Sequence, residues 1–261
     1  MTTEDFIIAL FCKIDEQMNR ICKHPQASLY PSEIVTLAVL FALKGVGNRA
    51  FYRWISRDWR SLFPKLPERT RLFRLFKTHQ GWTNCFLAEA TVLGVVDTYG
   101  IELLHPYRQG RSSQQIGQKG YSNHRWIVGG KLCCVLNQLG LITGWDCATA
   151  NVYDTTFHPL IRTFEDRMVI LADHGFYSRQ GNPANLKVCK RGEWNVRMII
   201  ETVLSMLTRV CHFKQVGHRV WEYFRARLAF TVAAYNLLVQ WYGLAPDENG
   251  YIHLSIAEFS L

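Results

Sequence analysis

Three acidic residues in this sequence stand where they could act together on a phosphate ester. Asp97 ends the apolar run VLGVVD, and Asp173 ends the apolar run MVILAD; the sequence predicts a turn after each, over residues 98–100 and 174–176. Glu201 lies on the polar side of the amphipathic run WNVRMIIETVLSMLTR, four residues after Arg197. Carboxylate oxygens are the donors that Mg²⁺ and Mn²⁺ prefer, and two such ions roughly 3.5–4 Å apart can activate an attacking oxygen and stabilise a leaving one. We therefore interpret Asp97, Asp173 and Glu201 as a candidate site for two Mg²⁺ or Mn²⁺ ions.

Each acid taken alone also has a simpler explanation. An aspartate after a strand often caps a turn with its own side chain. A glutamate four residues from an arginine often forms a solvated ion pair on a helix, although Arg before Glu is the less favourable order. The eight cysteines contain no C-x-x-C pair, so the sequence gives no competing zinc framework. The metal interpretation therefore depends on the three acids meeting at one place.

The N-terminal third has the periodicity of helices. The pattern predicts helices over residues 5–20, from an N-cap at Ser32 to Gly45, over residues 48–60 and over residues 68–79. The last two carry several arginines on either side of a break that contains prolines. This arrangement fits a helix-turn-helix-like DNA reader and an ordinary helical bundle equally well.

From about residue 91 the pattern changes to strands mixed with helices. Apolar runs ending at Asp97 and Asp173 predict two strands, and residues 126–137 and 141–149 predict a hairpin. Helical patterns cover residues 155–165, the run that carries Glu201, and residues 220–241. The sequence therefore predicts a mixed α/β region over residues 89–261 behind an all-helical, DNA-binding region over residues 1–88.

Composition limits the class of protein and its partners. Hydrophobic residues make up 48% and charged residues 20%, as in a globular protein. Lys and Arg number 30 against 21 acids, and the net charge of +9 favours a polyanionic partner such as nucleic acid. The N-terminus carries acids where a signal peptide carries positive charge, and no apolar run reaches the length of a membrane span. We expect a cytoplasmic protein whose cysteines are reduced core residues.

Basic and aromatic residues alternate over residues 107–125, among many Gly, Ser and Gln. This composition fits a mobile loop that grips phosphates, with Trp126 or a tyrosine able to stack on an unpaired base; it also fits a solvated loop. His218 and Arg219 extend the basic surface beyond Glu201, and we expect His218 to be structural or to contact phosphate. The basic residues of the loop that we expect on DNA are Arg108, Arg111, Lys119 and Arg125.

These motifs resemble those of the DDE transposases of bacterial insertion sequences. The most specific similarity is R-x-I-I-E at Arg197–Glu201, and LADHGFYS resembles the strand motif of the second catalytic aspartate. Lys131-Leu132 after two glycines and the Asn-x-x-Asp turn in ANVYD, which ends at Asp154, are similar to two further motifs. Ala150, Cys133, Trp194 and Arg209 stand where the family commonly has Gly, His, Tyr and Lys, and the segment between Asp173 and Glu201 is short for the family.

The resemblance implies a fold and a function. The fold would be ribonuclease-H-like, with a mixed sheet flanked by helices behind the all-helical N-terminal region. Asp97, Asp173 and Glu201 would be the metal-binding catalytic triad. The implied protein is a DNA transposase, associated with the nucleoid, that uses two Mg²⁺ or Mn²⁺ ions and acts as a homodimer on double-stranded DNA. The further DNA contacts it suggests are Arg197, Lys131 and Arg209. A nuclease that cuts without joining and an inactive DNA-binding derivative are the alternatives.

Overall fold

The computed structural model describes residues 1–113, 115–122, 125–190, 198–214, 217–245, 248 and 252–261. Six strands form one mixed sheet in this part of the chain. They are β1 (Leu93–Leu104), β2 (Gln118–Ser122), β3 (Arg125–Asn137), β4 (Ile142–Thr149), β5 (Val169–Ala172) and β6 (Leu186–Val188). β1 and β3 pair antiparallel along most of their length, and β2 and β4 follow each other along the other edge of β3. β5 and β6 extend the sheet from β1 as parallel strands.

Seven helices in the described residues flank this sheet. They are α1 (Thr3–Gln17), α2 (Pro31–Lys44), α3 (Asn48–Asp58), α4 (Arg69–Thr78), α5 (His158–Arg162), α6 (Met198–Arg209) and α7 (Trp221–Tyr242). The predicted N-cap at Ser32 is wrong, because Pro31 already occupies the first helical position and Tyr30 is the cap. Glu33 accepts a hydrogen bond from the Tyr30 backbone N–H at 2.6 Å. The helix ends at Gly45 as predicted, with a left-handed φ of 62°.

Both faces of the sheet are covered. On one face, a single buried cluster joins residues of the N-terminal helices, the sheet, α6 and α7. On the other face, a smaller cluster packs α5 and the segment before β5 against β1 and β3. This is the ribonuclease-H-like α/β architecture that the sequence predicts, and the described chain confirms it.

Helix α7 connects the N-terminal helices to the sheet. It packs against α2, α4 and β4. The Asn236 side-chain amide donates to the carbonyls of Phe86 and Ile142 at 2.8 and 2.7 Å, and its Oδ1 accepts from the Ile142 N–H at 2.8 Å. The helices before residue 88 therefore share a core with the sheet. The division into two regions at residue 88 stays a prediction from the sequence.

Part of the predicted loop over residues 107–125 is strand. Residues 118–122 form β2, and Arg125 begins β3, because the two segments pair antiparallel with Tyr121 opposite Trp126. Among the described helices, none alone is long and apolar enough to cross a membrane; α2 and α3 together have the length and composition, but a bend of 118° separates them.

Candidate active site and basic surfaces

Asp97 lies within β1. It is half-buried, and its Oδ1 accepts a hydrogen bond from the Thr98 N–H at 2.7 Å. The turn that the sequence suggested at residues 98–100 is wrong, because β1 continues to Leu104 in register with β3. Gly100 provides space instead of a turn: a Cβ there would lie 2.4 Å from Oγ of Ser122. The carboxylate is therefore held by a continuous central strand.

Asp173 directly follows β5. Its Oδ1 accepts a hydrogen bond from the Gly175 N–H at 2.9 Å and caps the short helical turn His174–Phe176. β1 and β5 run parallel, and the last pair in their register is Val95 with Leu171. Asp97 and Asp173 each stand two residues beyond that pair, so adjacent strands carry them at the same level of the sheet.

Glu201 lies in the first turn of α6, where its side chain is exposed. Ser205 and Thr208 follow on the same face at helical spacing. This face forms part of the wall of an open cleft of about 420 Å³, and residues 97–99 of β1 also line it. Helix α6 therefore brings Glu201 to the same cleft as Asp97.

Two cations line this cleft as well. Arg209 belongs to the last turn of α6, and Lys214 follows the helix. The Lys214 ammonium lies 4.8 Å from the centre of the ring of Tyr99, a residue of β1. Carboxylates suit divalent cations and cationic side chains suit phosphate oxygens, so the cleft offers groups of both kinds.

Two of the three acids, Asp97 and Glu201, line this cleft. Asp173 is not among the residues that line the cleft. Within the ranges that the structure describes, no three His, Cys, Asp or Glu side chains are arranged to hold a metal ion. The structure therefore unites Asp97 with Glu201 and holds Asp173 at the same level on the neighbouring strand. By donor type, the three carboxylates fit Mg²⁺ or Mn²⁺.

A polar network that sequence reasoning missed lies beside Asp97. Asp154 Oδ1 accepts hydrogen bonds from Oγ1 of Thr98 at 2.8 Å and from the Lys131 ammonium at 2.9 Å. The ammonium also donates to the Val152 carbonyl at 2.8 Å. The Lys131 and Asp154 side chains are 9% and 22% exposed, so the pair is largely shielded from water. Both residues belong to motifs that the sequence singled out, which was the available signal.

Asp154 also approaches the turn that Asp173 caps. A Cβ on Gly175 would lie 2.5 Å from Asp154 Oδ2 and 3.0 Å from Asp173 Oδ1. Only glycine fits between the two carboxylates without displacing one of them. The Asp154 carboxylate therefore lies between Thr98, the residue after Asp97, and the turn after β5.

The basic and aromatic residues around β2 form an exposed surface, which we call the hairpin patch. The Lys119 ammonium lies 5.3 Å from the centre of the Trp126 ring, and the Tyr121 and Trp126 rings are 5.5 Å apart. These two aromatic residues are 57% and 58% exposed. Arg125 contacts Glu102 at 3.3 Å. The members of the hairpin patch are Arg108, Arg111, Lys119, Tyr121, Arg125 and Trp126.

The remaining candidate residues lie elsewhere. His218 and Arg219 line a different cleft, formed with the beginnings of α3 and α4. Lys131 is buried in the network with Asp154. Arg197 lies outside the described residues.

The comparisons with known proteins bear on the part of the chain that carries this site. Residues 90–198 match the family model of the transposase DDE domain. The matched segment contains Asp97 and Asp173 and ends just before Glu201. No curated protein and no solved structure matched the chain.

Proposed function

We propose that this chain, whose residues 90–198 match the transposase DDE domain, is a DDE transposase that cleaves DNA at the ends of an insertion sequence and joins the freed 3′-hydroxyl to target DNA. The observation that carries the proposal is the cleft that Asp97 and Glu201 share with Arg209 and Lys214. The acids could hold the metal ions and the bases could hold the phosphate, as phosphodiester hydrolysis followed by transesterification requires.

We assign the binding of two Mg²⁺ or Mn²⁺ ions to Asp97, Asp173 and Glu201. When bound, such ions activate the attacking oxygen and neutralise charge that develops on the phosphate. The protein contributes rigid placement: β1 and β5 fix the two aspartates at one level, and α6 presents Glu201 across the cleft. Catalysis would depend on this positioning and on charge neutralisation, without a covalent enzyme intermediate.

The basic side chains of the cleft and of the hairpin patch would mark the path of the DNA. Arg209 and Lys214 would hold the phosphate next to the acids, because both line the same cleft. The hairpin patch would hold the flanking duplex through its basic residues, and Tyr121 or Trp126 would stack on an unpaired base. Two chains on two DNA ends would form the working dimer.

We give Lys131 a positioning role in place of the DNA contact suggested by the sequence. Its ammonium is bonded to Asp154 and to the Val152 carbonyl inside the protein. Through Asp154, this ion pair holds Thr98, whose N–H in turn binds the Asp97 carboxylate. The network would fix the direction of that carboxylate while Lys131 itself stays away from substrate.

An inactive DNA-binding derivative is the second candidate function. The observation in its favour is that, within the described residues, no three potential ligands are arranged around one metal position. Such a protein would keep the basic surfaces and bind DNA without cutting it.

The test is cleavage and joining of DNA that carries the sequences flanking the gene. The variants are Asp97→Asn, Asp173→Asn and Glu201→Gln, with Glu222→Gln as the matched control because Glu222 is an exposed residue of α7. We expect cleavage only with Mg²⁺ or Mn²⁺, a loss of at least about 100-fold in each triad variant, and DNA binding retained.

Three outcomes would change the proposal. A triad variant that still cuts refutes the assignment of that residue. Cleavage without joining of a 3′-hydroxyl identifies a nuclease. Binding by the unaltered protein with no cleavage supports the inactive derivative.

A further inference from the structure

A second cleft, of about 410 Å³, lies where α3, α4 and α7 meet. Asn48 and Arg69 line it from the two N-terminal helices, and His218, Arg219 and Arg227 line it from the other side. No Asp or Glu is among its described lining residues. The cleft is therefore positively charged, and it is separate from the one that holds Asp97 and Glu201.

Two helices begin at this cleft. Gly47 caps α3 and Glu68 caps α4, and neither helix start receives a side-chain cap hydrogen bond. The first N–H groups of a helix have no partner within the helix and carry partial positive charge. Asn48 and Arg69, the first residues of the two helices, both line the cleft. Two sets of backbone donors thus add to the charged side chains.

Arg227 places a buried cation in the wall of the cleft. Its guanidinium donates to the carbonyls of Phe41, Ala42 and Cys211. Its Nε is buried and has no hydrogen-bond partner among the described residues, and none of the described ion pairs includes Arg227. Burial lowers the pKa of Arg227 to about 10, so the group keeps its charge at neutral pH. A buried charge without a counter-ion is costly, and a bound anion offsets that cost.

His218 adds hydrogen-bonding capacity beside Arg227. Its burial and the nearby Arg227 charge lower the pKa of His218 to about 4. The imidazole is therefore neutral at pH 7, with one nitrogen able to donate and one able to accept. Arg219 and Arg69 also line this cleft and are exposed, so a ligand from solution can reach them.

We propose that this cleft binds a phosphate group and that the group is a backbone phosphate of DNA. A phosphate offers acceptor oxygens to both helix starts and to the arginines at once. The phosphate site rests on the cleft itself, whereas the choice of DNA over a free phosphate compound rests on the proposed function and on the net charge of +9.

The sharpest variant is Asn48→Asp. Asn48 is the first residue of α3, where a carboxylate is favourable for the helix, so this change opposes phosphate binding without weakening the fold. The matched control is Asn19→Asp, which adds the same charge at an exposed position away from the cleft. A second pair is Arg69→Gln with Arg162→Gln as control, because Arg162 is an exposed residue of α5 that does not line the cleft.

The readout is the anisotropy of a fluorescent duplex, measured in EDTA over a range of salt. Without metal, the result is independent of the carboxylate site, so failure here is distinct from failure of the proposed catalysis. We expect Asn48→Asp and Arg69→Gln each to bind about tenfold more weakly and to reduce the slope of log K against log salt by about 1. Both control variants should match the unaltered protein.

Equilibrium dialysis with labelled inorganic phosphate distinguishes a backbone phosphate of DNA from a free phosphate compound as the ligand of the cleft. Loss of duplex affinity in Asn48→Asp and Arg69→Gln, with both controls normal, supports a DNA phosphate. If these variants retain less inorganic phosphate but bind the duplex as tightly as the unaltered protein, the cleft is a phosphate site whose ligand is not DNA. The cleft itself is overturned if Asn48→Asp changes neither quantity, or if Arg162→Gln weakens duplex binding as much as Arg69→Gln does.

Discussion

The ion pair of Lys131 with Asp154 should contribute more to stability than any exposed pair in this protein, because water is largely excluded from it. Asp154→Asn weakens two hydrogen bonds to a charged carboxylate and leaves the Lys131 ammonium with the Val152 carbonyl. Bonds to charged groups contribute about 1.5–3 kcal/mol each. The Asp154 side chain is 22% exposed, so water recovers part of this loss. We expect Asp154→Asn and Lys131→Met each to lower the free energy of unfolding by about 2–3 kcal/mol.

A double-mutant cycle measures the pair itself. Urea unfolding at pH 7 of both single variants and the double variant should give a coupling energy of about 1–2 kcal/mol. The control cycle uses Arg57→Met and Asp58→Asn, whose ion pair is shorter at 2.6 Å but whose side chains are 73% and 31% exposed. We expect a clearly smaller coupling energy there, because water and salt screen this exposed pair. If the Lys131–Asp154 coupling is no larger than the control, the network is solvated and cannot position the Asp97 carboxylate.

Three further predictions test the fold. Asn236→Leu leaves the Phe86 carbonyl and both backbone polar groups of Ile142 without their side-chain partner. We expect urea unfolding to show that the free energy of unfolding falls by about 3 kcal/mol; a fall below about 1 kcal/mol would show that these hydrogen bonds do not hold α7 to the sheet. The pKa of His218 is lowered from 6.5 to about 4, so the unfolded chain binds more protons between these values. The contribution of His218 to the free energy of unfolding should therefore fall by about 3 kcal/mol as pH drops through that window; His218→Gln should reduce the pH slope by this contribution, and exposed His24→Gln should leave the slope unchanged. A thiol reagent should modify at most three cysteines of the folded protein and all eight after unfolding, since five are buried; a fourth rapid reaction would show that the core opens. The three exposed cysteines are Cys12, Cys22 and Cys85.

Local sequence patterns predicted much of the framework. The hairpin of β3 and β4 followed from two β-rich runs around a glycine break, and the strands that deliver Asp97 and Asp173 followed from two apolar runs. These features depend on neighbours in sequence, such as alternation, turn residues and apolar runs, so one chain is enough to reveal them.

The errors came from residues whose role depends on distant contacts. Gly100 was interpreted as part of a turn, but its glycine makes room for the Ser122 side chain. The sequence also did not show that Lys131 pairs with Asp154, which the segment after β4 contributes. Spacing in the sequence could not show either approach, because both arise only when β2, β3 and the turn after β4 meet in space.

The basic cleft is the clearest case of this limit. Arg227 binds the carbonyls of Phe41 and Ala42, more than 180 positions away in the chain. The sequence indicated that His218 and Arg219 belong to a basic surface, but it could not show the start of α3 beside them. A helix start and a buried arginine become a candidate anion site only through this packing.

The most direct test of the central claim is Mn²⁺ binding to the DNA-bound protein, followed by electron paramagnetic resonance. If Asp97, Asp173 and Glu201 form one metal site, the unaltered protein and Glu222→Gln should bind Mn²⁺ equally, with two ions per site. Asp97→Asn, Asp173→Asn and Glu201→Gln should each lose most of that binding while still holding DNA. Binding of Mn²⁺ by Asp173→Asn at the level of the unaltered protein would contradict the account, because it would show that the aspartate after β5 is not a ligand.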